Sequence, residues 1–248
     1  LGAHEIPTMT QLLKEQAAAY NAANGTRVRA KPAYHLVYGM ATVAPQNDSS
    51  YVEFLPDDVV MQYVEAGLEE KVAVILDIQM GALSVSEALS PALPFLQYHN
   101  VHLALDPEFA MSHPGQTVPG NPIGYFTGEQ INEAQRIIGD YMAEHGIRGR
   151  RILLVHQFQD NMIINKDVID WSHPNLDLTI CADGFGDPWA KIWKYNSFFS
   201  GNEDVAFTAF KLFYDYDVPL MTERQALGVD KVADDLSIEV TPNMIIYQ

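Results

Sequence analysis

Short apolar runs alternate with longer amphipathic stretches along this chain, and most of the runs finish in an acid, a histidine or a glutamine. The segment Val101 to Met111 (VHLALDPEFAM) shows the pattern best. Side chains of a strand point alternately to its two faces. His102, Ala104, Asp106 and Glu108 therefore share one face of an extended segment, and Leu103 and Leu105 share the other. Pro107 cannot donate to a sheet ladder and predicts the end of the strand. Six further runs read as strands: Ala33 to Ala41, Val72 to Gln79, Arg151 to Phe158, Leu176 to Phe185, Val205 to Tyr214 and Met244 to Tyr247. The run VAVILDIQ, with no polar position before its acid, reads as a parallel strand covered on both faces.

Between these runs the spacing predicts helices. Residues 8–24 are rich in helix formers and stop at Gly25, and Pro56 with Asp57 opens a helix to about Lys71. Ser84 to Tyr98 is a helix interrupted by Pro91 and Pro94. Thr127 to His145 carries the clearest signal: Thr127 and Gln130 make a capping box, Gly146 stops the helix, and Ile131, Ala134, Ile138 and Met142 fall on one stripe. Pro188 opens a helix to about Phe199, and Lys166 to Trp171 and Thr222 to Leu227 are short helical pieces. Thr42 to Tyr51 and Ser112 to Phe126 read as loops. The second is long and rich in Gly and Pro, as lids and binding walls are.

Strand and helix alternate with no hairpin signal between strands, which predicts a parallel sheet with right-handed crossovers. Seven strands in 248 residues fit a single α/β domain of the (β/α)8, TIM-like barrel type. The eighth strand would be missing, irregular or supplied by the N-terminal segment. Residues 1–30 would form a helical piece packed on the barrel. An open doubly wound sheet is the second expectation, although neither GxGxxG nor GxxxxGK[ST] occurs.

In a barrel the strand ends converge on one mouth, where barrel enzymes build their sites. The ends here carry Asp77 and Gln79, Asp106 and Glu108, His156 and Gln157, Asp183, and Asp215 with Asp217; Lys211 shares a face with Asp215. Single acids after strands also serve as caps and turn starters, but their recurrence exceeds that need. Two facing carboxylates can divide acid and base roles, as glycosidases do. Glu108 is the expected proton donor, Asp183 or Asp215 the nucleophile or base, and Asp77 or Asp106 an orienting acid. His35, Gln79, His102, His156, Gln157 and Lys211, with the aromatics Tyr125, Phe185, Trp189, Tyr214 and Tyr247, are the expected substrate contacts.

Two other readings use the same strand ends. Inward His35, His102 and His156 beside Asp77, Asp106 and Asp183 would make a metal-dependent hydrolase holding a divalent metal, although no HxH or HExxH spacing occurs. A non-catalytic barrel could instead bind a sugar or other small ligand there. The carboxylate reading needs no cofactor. No GxSxG elbow is present, and the single cysteine, Cys181, falls mid-strand, so nucleophilic Ser or Cys catalysis is not expected. One cysteine also excludes an internal disulfide.

Net charge is −17, with only 15 Lys and Arg, which argues against nucleic acid and anionic membrane as partners and leaves a small molecule or oligosaccharide as substrate. No apolar run approaches the roughly 18 residues of a membrane span. The chain opens on Leu1, from which we expect a removed leader and an extracellular or envelope-attached protein.

As a set, the phrases LDIQMG, LALDPEF, VHQFQDNMI, ADGFG, KLFYDYD and the terminal IIYQ resemble a group of bacterial secreted or lipoprotein-like proteins of barrel type, loosely glycoside-hydrolase-like, over roughly residues 30–248. The resemblance implies export and one barrel domain. It brings no catalytic residues with it, and the DxxDxDxE signature of chitinase-like barrels is absent.

Overall fold

A computed structural model describes residues 4–25, 28–202, 205, 207–233 and 235–248. The described residues include ten strands: β1 (Ala33–Ala41), β2 (Val52–Phe54), β3 (Ala73–Gln79), β4 (Val101–Asp106), β5 (Phe126–Thr127), β6 (Arg151–Gln157), β7 (Ile163–Ile164), β8 (Leu176–Ala182), β9 (Phe207–Leu212) and β10 (Met244–Tyr247). The α-helices are α1 (Ile6–Asn24), α2 (Asp57–Glu70), α3 (Val85–Leu89), α4 (Gly128–Glu144), α5 (Pro188–Phe199) and α6 (Glu223–Ala226). The prolines resolve the segment after Ser84 into α3 and a separate 3-10 turn, Leu93–Gln97. Thr127 and Gln130 close the expected capping box on α4.

Eight strands form one curled sheet in the order β10-β9-β8-β6-β4-β3-β1-β2, and β5 pairs with β7 apart from it. The seven strands read from the sequence run parallel. The closed (β/α)8 barrel does not form. β2, which the sequence did not reveal, folds back antiparallel on β1 with Gly39 opposite Phe54, so the sheet is mixed and ends there. At the other end β10 pairs only with β9, and α6, four residues long, is the sole α-helix between those two strands among the described residues. The result is a half-barrel.

Helix α1 spans the unclosed side. Thr10 Oγ1 meets the Tyr34 hydroxyl of β1 at 2.5 Å, and the Tyr20 hydroxyl meets that of Tyr247 in β10 at 2.7 Å. Ten helical residues rise about 15 Å, against the roughly 4.8 Å that separates paired strands.

The outer face of the sheet packs Leu76, Ile78, Leu103, Leu105, Val155, Ile180, Phe210 and Leu212 into the main core with the helices. The inner face buries a small cluster of Ile75, Ala104, Leu154, Cys181, Ala209 and Ile246. Closed barrels fill their centre with bulky branched residues. Here three of these six side chains are Ala or Cys, which leaves the centre open as a cavity of about 1240 Å³ that continues to the gap under α1. No helix among the described residues is long and apolar enough to cross a membrane.

Candidate functional site

The cavity mouth is built from the C-terminal ends of the parallel strands. A chain of close polar contacts crosses five of them. Asp77 on β3 receives His156 Nε2 of β6 on Oδ2 at 3.1 Å. The other ring nitrogen, Nδ1, lies 3.0 Å from Asp183 Oδ2, just past β8. Lys211 Nζ of β9 donates to the same Asp183 oxygen at 2.8 Å. At the near end, His35 Nε2 of β1 stands 3.1 Å from Asp77 Oδ2. It lies off the line of a hydrogen bond, and both His35 Nε2 and Asp77 Oδ1 are buried without a hydrogen-bond partner. His35, Asp77 and His156 present three donor atoms within 4.8 Å of one another.

Charges buried this deeply cost several kcal/mol each unless paired. Alternation of sign meets that cost. Burial would raise the Asp183 carboxyl, but the His156 hydrogen bond and the Lys211 ammonium outweigh it and hold the group below the usual carboxylate range. Burial would also raise Asp77, and His156 reverses that in the same way. Burial would lower His156; the Asp77 charge and the Asp183 hydrogen bond instead raise it well above an ordinary histidine, so it stands as imidazolium between two carboxylates. Lys211 is raised, the Asp183 carboxylate prevailing over burial.

Two further acids, Asp106 and Glu108, line the cavity and make no ion pair among the described residues. Asp106 is pushed up to about 7, first by burial and then by the Asp77 and Asp183 charges, against the opposing charges of His156 and Lys211. Glu108 is raised by burial and then by Asp183. It is half-buried at the mouth, and its carboxyl makes no hydrogen bond or ion pair among the described residues. Strand alternation does not place it there. β4 stops at Asp106, whose Oδ1 accepts the Glu108 amide at 3.1 Å and turns the chain through a 3-10 turn, Pro107–Phe109. At β8, Gly184 adopts φ +89°, which lets Asp183 Oδ1 take the Gly184 amide at 2.5 Å; a Cβ there would stand 2.7 Å from Lys194 Nζ.

The remaining expected residues divide. Phe185, Tyr214 and Tyr247 line the cavity, with Tyr214 and Tyr247 stacked at 5.0 Å. Gln79 lines it too, while its Oε1 accepts the Ala41 amide. His102 lies two inward positions before Asp106, where its Nδ1 accepts the Ile152 amide. Burial and the nearby Arg151 lower it to about 4, so it is neutral. Gln157 is buried away from the cavity and accepts Lys166 Nζ at 2.9 Å. Tyr125, Trp189 and Asp215 are exposed and outside the lining.

Asp217, not Asp215, is the buried acid of its loop. It accepts the Gly186 and Phe213 amides and pairs with Lys191 at 3.0 Å. Sequence reasoning missed Lys191 and also Phe213, which lines the cavity with the Lys211 ammonium 5.2 Å from its ring centre. The signal for Lys191 was its spacing of three from Lys194 on one face of α5, toward the strand ends. No protein-family model matches this chain, and no curated protein or solved structure matches it either.

Proposed function

We propose that the protein hydrolyses a carbohydrate, with carboxylates at the cavity mouth dividing the work. One observation carries the reading: Glu108, half-buried and unpaired among the described residues, lines the same cavity as Asp183, which His156 and Lys211 clamp. Environments that push two acids apart separate an acid from a carboxylate. Glu108, raised by its surroundings, is the proton donor to the departing glycosidic oxygen. Asp183 supplies the standing negative charge facing the cationic sugar carbon. Asp106, also raised, offers a carboxyl proton to a sugar hydroxyl below about pH 7.

The walls suit a neutral polyhydroxylated ligand. Phe185, Phe213 and Tyr214 present rings at the mouth, and apolar sugar faces stack on such rings. A net charge of −17 disfavours polyanionic substrates.

A panel of neutral oligosaccharides, read by release of reducing ends, tests this directly. The wild type should cleave at least one of them. Glu108→Gln should lose roughly 100-fold or more in rate while melting within a degree or so of the wild type, because no partner of the carboxyl is lost. A folded Glu108→Gln variant with full activity removes Glu108 from the mechanism.

A further inference from the structure

We propose that His35, Asp77 and His156 form a binding site for one divalent transition-metal ion, Zn²⁺ being the first expectation. The three side chains come from β1, β3 and β6, and their donor atoms lie within 4.8 Å of one another. Both imidazole Nε2 atoms stand 3.1 Å from Asp77 Oδ2. Donors about 2.0–2.1 Å from a tetrahedral ion sit roughly 3.3 Å apart, so each imidazole stands within a few tenths of an ångström of that separation from Asp77 Oδ2.

Two further observations point to a cation. His35 Nε2 and Asp77 Oδ1 are buried with no hydrogen-bond partner, and Asp77 is only 3% exposed. Buried polar atoms without a hydrogen bond are costly, and an ion at this centre is a partner for the His35 nitrogen and a counter-charge for the Asp77 carboxylate. Asp183 Oδ2 also holds His156 Nδ1 at 3.0 Å. Metal-bound histidines characteristically give their other nitrogen to a carboxylate in this way, which fixes the tautomer and aims the free nitrogen at the ion. On binding, His156 would surrender its Nε2 proton and keep Nδ1–H on Asp183.

Two imidazoles and one carboxylate suit zinc and its neighbours, whereas calcium and magnesium take oxygen ligands. Three protein ligands leave a coordination position facing the cavity for water or a substrate oxygen.

Ion capture does not depend on what the site cleaves, so it is measured without turnover. The whole chain, stripped with chelator, is titrated with ZnCl₂ by calorimetry and with CoCl₂ by visible absorption. The expected result is one ion per chain, with cobalt bands of low coordination number and no displacement by excess Mg²⁺. His35→Ala removes a ligand but leaves the Asp77–His156 pair intact, so it should fold and bind more than about 100-fold more weakly. Asp183→Asn should weaken binding about 10- to 100-fold through the orientation of His156. A folded, stripped wild type that takes up no saturating ion, or a His35→Ala variant that binds as well as the wild type, would overturn the proposal.

Discussion

Asp106 gives the site its clearest pH signature. An acid whose carboxyl is raised on folding binds more protons folded than unfolded, so its contribution to stability falls as pH climbs from about 4 to about 7. Asp106→Asn keeps the oxygen that accepts the Glu108 amide and removes the buried charge. The variant should melt several degrees above the wild type at pH 8 and lose that advantage near pH 4; equal melting temperatures at pH 8 would show that the ionised carboxyl costs nothing. Much at this scale was legible. Asp77, Asp106, His156, Asp183 and Lys211 do converge, because each sits on the inward parity of its strand and parity is local information. Asp215 shares that parity, but β9 ends at Leu212. Beyond it the chain turns, and Asp217 is drawn in by the Phe213 and Gly186 amides. Pro107 marked the end of β4 in advance, but no such residue follows Leu212 to mark the end of β9.

At the scale of elements, the helices and the seven parallel strands were readable because period, caps and prolines act over a few residues. β2 was not. Three residues are too few to show alternation, and the ten residues between β1 and β2 carry no two-residue hairpin turn. Its pairing takes the outer edge of β1, and the half-barrel follows from that. The half-barrel gives α1 a structural task that a surface helix would lack, since it ties β1 to β10 through Tyr34 and Tyr247. Tyr20→Phe deletes one of these two ties without changing shape. It should cost about 1 kcal/mol, a fall of roughly 2–4 °C in Tm for a chain of this size. Thermal melts check this, and an unchanged Tm would mean that the Tyr20–Tyr247 tie contributes nothing to holding α1.

For the molecule as a whole, closure was the property the sequence concealed. Seven strands of barrel-like character admit a closed ring or an open curl, and the choice rests on whether the first and last strands meet. Here they do not, and small inner residues such as Ala104 and Ala209 leave a cavity where a closed barrel would be packed. The acids therefore line a deep pocket reached from the mouth, and the division of labour between Glu108 and Asp183 is the claim on which the proposed function stands. Its most direct test compares two substrates in one variant. A glycoside with a highly acidic phenol leaving group needs no proton donor, whereas an ordinary oligosaccharide does. Glu108→Gln should therefore lose about 100-fold or more in kcat/KM on the oligosaccharide and retain most of its rate on the activated glycoside. Equal losses on both would contradict the assignment of Glu108 as the acid.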